Sequence, residues 1–114
     1  MKCKTLDIWK RSASLSAQIY HHFSNCKDYG FKDQITRSGL SVPSNIAEGV
    51  ERSSDKETIR FLDIARASLA EVQTQIYIGI KIDYIPNALG QTWIKEFDEI
   101  GRMLSSFIQK IEEK

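Results

Sequence analysis

Helix-breaking residues are scarce in this sequence. Its 114 residues include two prolines and six glycines, and no segment alternates apolar and polar residues cleanly enough to read as a strand. An all-helical chain is the remaining option. Cysteine is scarce too, with only Cys3 and Cys26 present. They fall at opposite ends of the first predicted helix, roughly 34 Å apart at ~1.5 Å rise per residue. That is beyond disulfide reach, so both read as free thiols. No apolar run approaches the roughly 18 residues of a membrane span. The charged start MKCKTLDIWK lacks the apolar centre of a signal peptide, so the expectation is a cytoplasmic protein with no membrane contact. An excess of either charge is also missing. Sixteen Lys and Arg against fifteen Asp and Glu argue against a chain devoted to wrapping nucleic acid, although a local patch can sit inside a balanced total.

Catalytic patterns are missing as well. There is no glycine-rich phosphate loop, and the isolated Glu48-Gly49 pair has neither the lysine nor the preceding strand that such a loop needs. His21 falls on the polar face of the first helix and reads as a solvated histidine. His22 and Cys26 have i,i+4 spacing, but two ligands do not complete a metal site. Glu48 and Glu71 are near enough in pattern for one to titrate high, which a purely structural network also produces. The tryptophans and phenylalanines read as core, not as a base-stacking platform. No enzyme, cofactor, metal or small-molecule substrate is expected.

What the sequence does contain is helical periodicity. The expected helices are about 5–26, with Thr5 as N-cap, then 31–51, 55–82 and 89–112. NCKDYG supplies the first turn. Ser54 and Glu57 form an S-x-x-E capping box that opens the third helix, and Asn87 is a candidate cap for the fourth. Short connections between helices of this length predict one domain, 1–114, folded as an antiparallel up-down-up-down four-helix bundle. In the first helix Leu6, Ile8, Trp9, Ala13, Leu15, Ile19, Tyr20 and Phe23 cover about half the circumference, and Leu89 to Ile111 do the same in the fourth. A bundle helix needs an apolar stripe of roughly 100°. The surplus favours a second interface with another copy of the chain.

The segment SVPSNIAEGVERSS, Ser41–Ser54, places proline and glycine inside a helical pattern. Gln34, Ser38, Ser41, Asn45, Glu48 and Arg52 recur at spacings of three and four and form one polar stripe. Ile35, Gly39, Val42, Ile46 and Gly49 form an apolar stripe beside it. Pro43 crowds the carbonyl of Gly39 and predicts a kink there. Small residues at Ser38, Gly39 and Ser41 admit a close neighbour, and Gly49 eases the helix exit. A buried polar stripe needs partners. The pattern therefore predicts a structural polar network of Ser41, Asn45 and Glu48 with Arg60, Ser68 and Glu71 of the third helix; Arg66 is also within its range.

The stretch SVPSNIAEGVERSSDKETIRFLDIARASLAE, Ser41–Glu71, resembles the signature of a bacterial four-helix-bundle family associated with 23S rRNA intervening sequences. That signature runs S-I-P-S-N-I-A-E-G, an arginine, a capping serine, then R-F-L-x-I-A-R-G-S-L-x-E. The resemblance extends upstream through LDIWKRSASLSAQIY and FKDQITRS. It implies a four-helix protomer that assembles into a ring, typically a homopentamer, with no enzymatic activity established. A related branch, the accessory proteins of diversity-generating retroelements, uses a basic ring to contact nucleic acid and a reverse transcriptase. By position, the matching residues are Arg37, Ser41, Pro43, Asn45, Glu48, Gly49, Arg52, Arg60, Arg66, Ser68 and Glu71. The chain departs from the pattern at Thr36, where the family often has a basic residue, at Glu51, where it has a small one, and at Ala67, where it has glycine. One positive charge is lost and one negative charge gained, which weakens a nucleic-acid role. The expectation is a non-enzymatic homo-oligomeric scaffold or binding module, with RNA binding through Arg37, Arg52, Arg60 and Arg66, or through the Lys and Arg of the first helix, as the alternative.

Overall fold

The computed structural model describes all 114 residues. A 3-10 turn, Lys2–Thr5, leads into α1 (Asp7–His22), α2 (Tyr29–Val50), α3 (Asp55–Lys81) and α4 (Asn87–Glu112). No strand is present. Each helix packs against its sequence neighbours and α4 closes on α1, making an antiparallel bundle 46 Å long and 21 Å across. One apolar cluster runs along the axis, with Ile19, Ile35, Ile46, Leu62, Ile76, Phe97, Ile100 and Leu104 fully buried. Fully burying a side chain of this kind contributes about 1.5–3 kcal/mol.

The helix starts have local causes in two cases. The Asp28 carboxylate accepts from the Phe31 N–H at the head of α2, and the Ser54 hydroxyl accepts from the Glu57 N–H at the head of α3. Each satisfies a donor that the first helical turn leaves free. The Glu57 side chain pairs with Arg60, so only the serine half of the expected capping box forms.

Elsewhere the boundaries differ from expectation. α1 begins at Asp7, not Thr5, because Lys2–Thr5 folds separately. That turn buries Cys3 against α2, with the Lys2 N–H donating to Glu51, and the extended Leu6 separates it from α1. α1 stops at His22, four residues before Cys26. Phe23 is buried, and turns from Ser24 to His21 and from Cys26 to Phe23 redirect the chain toward the Asp28 cap. Both cysteines are free, and they flank α1 instead of lying within it. Pro86, not Asn87, occupies the cap position of α4. Its fixed φ suits an extended residue at a helix entrance.

One expectation about α2 also changes. No glycine has positive φ, so Gly49 is not a left-handed helix stop. It lies inside α2, where an added Cβ would sit 3.2 Å from both the Thr58 carbonyl oxygen and Phe61 Cβ. Its role is close approach of α2 to α3. Gly39 instead faces α1, and an added Cβ would meet Ile19 and Ser16 at ordinary contact distances of 3.7–3.9 Å. α2 continues as one helix through Pro43.

Candidate functional site

The seam between α2 and α3 carries a chain of hydrogen bonds. Asn45 Nδ2 donates to the Ser41 carbonyl at 2.8 Å and to Ser41 Oγ at 2.9 Å. Ser41 Oγ lies 2.8 Å from Ser68 Oγ on α3. One turn earlier, the buried Ser38 hydroxyl reaches Glu71 Oε1 at 2.8 Å and the Gln34 carbonyl at 2.9 Å. Ser41, Asn45, Ser68 and Glu71 therefore line one seam, with Ser38 linking Glu71 to α2. Glu48 and Arg60 lie outside it. Glu48 pairs with Arg52, just past the end of its own helix, and Arg60 pairs with Glu57. Partners one turn away on the same helix are always within reach, whereas a cross-helix partner must lie opposite.

The four arginines read as candidate nucleic-acid contacts are all exposed, and each is held by a carboxylate one turn away. Arg37 pairs with Asp33, Arg52 with Glu48, Arg60 with Glu57, and Arg66 with Asp63. Arg66 also donates to Ser105 on α4. Arg52 and Arg60 lie over the Phe61 ring at 4.8 and 5.0 Å, a cation–π arrangement that covers the α2–α3 turn.

At the opposite end, two loops are clasped. The Tyr84 hydroxyl donates to Asp28 Oδ2 at 2.7 Å. His22 Nε2 lies 2.8 Å from the Tyr84 carbonyl oxygen and so carries the proton in that contact. The Tyr84 hydrogen bond, then the Phe31 N–H, holds the Asp28 carboxyl below its ordinary pKa, and Asp28 in turn raises that of Tyr84. His22 faces this carbonyl, while the Cys26 thiol lies 3.8 Å from the Asp28 carbonyl oxygen. No group of three or more His, Cys, Asp or Glu is placed to hold a metal ion.

Surplus apolar surface lies in different places from those the sequence suggested. The α4 arc from Leu89 to Ile111 is buried or half-buried throughout, and on α1 only Tyr20 stands out, at 60% exposure. Each bundle helix meets two neighbours, which broadens the arc it buries. Two unlike patches stand out among the exposed apolar side chains. One is a groove between α1 and α2 lined by Ala13, Ala17, Tyr20 and Leu40, with Leu40 59% exposed. The other is the outward ridge of α3, where Ile64, Ala67, Thr74, Ile78 and Ile82 recur at helical spacing and are exposed.

The sequence matches the model of the 23S rRNA-intervening sequence protein family over residues 4–106. The chain belongs to that family. Among solved structures, this intervening-sequence protein is similar to a crystal structure of a protein with unknown function from the S23 ribosomal protein family of Bacteroides thetaiotaomicron VPI-5482. The two share 26% identity with a TM-score of 0.83, over 89% of this chain and 97% of the other. No curated protein matches the sequence. No helix of the intervening-sequence protein is long and apolar enough to cross a membrane.

Sequence reasoning missed one cation. Arg102 is the only one of the six arginines without a carboxylate partner. Asp98 and Glu99, one turn before it, are engaged by Gln73 and Arg11. No periodicity signal marks this, because both competitors come from other helices.

Proposed function

We propose that this intervening-sequence protein is a non-enzymatic, homo-oligomeric binding module of the cytoplasm, assembled head to tail into a closed ring, with five copies the expected number. The two unlike apolar patches carry the reading. A groove (Ala13, Ala17, Tyr20, Leu40) and a ridge (Ile64, Ile78) on different faces of one protomer cannot satisfy each other within that protomer. Contacts between unlike patches on successive copies are heterologous, and heterologous contacts close into rings when the rotation permits. Exposed apolar groups of this extent are otherwise a solubility liability.

The patches also specify the test. Leu40→Glu damages the groove and leaves the ridge intact, and Ile78→Glu does the reverse. Each variant alone is expected to run as a monomer by light scattering. Mixed in equal amounts, they retain one good groove and one good ridge between them and are expected to form a dimer. No change in mass for either variant, or no association on mixing, contradicts head-to-tail assembly through these faces.

RNA binding is the second reading. Arg37, Arg52, Arg60 and Arg66 all face solvent, but each carries its own counter-charge, which lowers the field available to phosphate. Backbone binding through them predicts that the logarithm of the affinity falls linearly with the logarithm of salt concentration. Salt-insensitive or absent binding removes it.

A further inference from the structure

We propose that the groove between the first half of α1 and the second half of α4 docks an acidic, amphipathic helix from a protein partner. This rests on the binding-module reading and adds the chemistry of what is bound. α1 and α4 are the least closely packed neighbours in the bundle. Two residues tie them along their length: Trp93 Nε1 donates to Gln18 at 3.1 Å, and Arg11 donates to Glu96, Glu99 and Met103 Sδ at 3.2, 2.8 and 3.6 Å. Beyond Arg11 the helices leave an open groove of about 400 Å³. Ile8 is buried at its base, and the half-buried Leu6, Met103 and Phe107 present apolar edges to it.

The rim is cationic and unneutralised. Arg102 and Lys110 line the groove with Ser106 between them, at i, i+4 and i+8 along α4, and neither forms an ion pair. Asp7 is the one acidic residue of the lining. An apolar floor under two free cations is complementary to a ligand with an apolar stripe and flanking carboxylates. Small ligands favour sites that enclose most of their surface, and this groove is open to solvent, so it suits an elongated occupant. Arg102 and Lys110 are eight residues apart, about 12 Å along the axis, which matches carboxylates two turns apart on a partner helix. Laying a third helix beside two others is also the ordinary packing mode of helix-in-groove recognition.

Nucleic acid fits less well. Two cations alone offer little to a phosphate backbone, whose binding scales with the number of phosphates contacted, and single strands need open aromatic faces for stacking, whereas Phe107 packs against the core. A second copy also fits less well. Asp63 and Glu71, an acidic pair with this spacing on α3, already engage Arg66 and Ser38. Phe107 and Lys110 lie beyond the end of the family match at residue 106, and the other six lining residues lie within it.

The test uses the full chain and two fluorescent amphipathic helical peptides of about five turns, with the same leucine stripe flanked by glutamates in one and lysines in the other. The glutamate peptide is expected to bind the wild type with a micromolar Kd and to bind R102E/K110E about tenfold or more weakly. The lysine peptide is expected to show the opposite preference. No saturable binding of the glutamate peptide up to about 1 mM overturns the proposal, as does binding unaffected by R102E/K110E. Displacement of the peptide by a single-stranded oligouridylate, lost in the same variant, reassigns the groove to nucleic acid. A lower solution mass for R102E/K110E reassigns it to a second copy. An unchanged mass with no peptide binding removes only the groove proposal, and a monomeric wild type that binds the peptide removes only the ring.

Discussion

Gly49→Ala and Gly101→Ala make the same chemical change inside two helices and are expected to have opposite effects. Replacing glycine by alanine in a helix interior gains about 1 kcal/mol from helix propensity. At Gly101 an added Cβ meets only the Leu69 methyl groups, at 3.7 and 3.8 Å. That is ordinary contact, so the gain should survive at about 0.5–1 kcal/mol. At Gly49 the added Cβ lies 3.2 Å from the Thr58 carbonyl oxygen and from Phe61 Cβ. Both atoms are fixed by the backbone of α3, so neither can swing away. The helices cannot separate freely, because Thr58 Oγ1 donates to the Gly49 carbonyl at 2.8 Å. Overpacking of this kind costs about 1–3 kcal/mol. Set against the propensity gain, the net loss is on the order of 1 kcal/mol, and the melting midpoint falls by about 4 °C. Urea unfolding followed by circular dichroism, at one protein concentration so that assembly contributes equally, measures both variants. A Gly49→Ala protein stabilised as much as Gly101→Ala would refute the close-approach role of Gly49.

Asn45→Ala removes the donor to the Ser41 carbonyl and hydroxyl at a half-buried position, and a loss of about 1 kcal/mol is expected; an unchanged urea midpoint would show that the seam adds nothing to stability. Tyr84→Phe tests the loop clasp through pH. Asp28 has a lowered pKa in the fold, so its contribution is present above 3.8 and lost as pH falls through the lowered value. Tyr84 has a raised pKa, so its contribution is present below 10.0 and lost as pH rises through the raised value. Tyr84→Phe should therefore flatten the pH dependence of stability at both extremes; acid and alkaline limbs that coincide with those of the wild type would rule the clasp out.

Local chemistry was legible and tertiary competition was not. The start of α3 could be read from Ser54 and Glu57 because an N-cap is a short-range event. The start of α1 could not, because the break at Leu6 follows from burying Cys3 against α2, a different helix later in the sequence. Periodicity placed Ser41 and Asn45 on one stripe, and the same spacing placed Glu48 with them. Which of these cross to α3 depends on what stands opposite, and Arg52 captures Glu48 first. The close approach at Gly49 needed Thr58 and Phe61 to be seen across from it. The wide arcs of α1 and α4 correctly marked buried faces, but not that these faces are used up within the protomer while Leu40 and Ile78 remain outside. The free charge of Arg102 depends on Arg11 and Gln73 occupying its neighbours, two contacts between helices that no single-helix pattern encodes.

The most direct test of the assembly at the centre of this account is the solution mass of the wild-type chain, by light scattering on a size-exclusion column. A mass near five times the 13.1 kDa protomer is the predicted result. A mass of one protomer at all concentrations would contradict it and leave the groove at Leu40 and the ridge at Ile78 without an occupant.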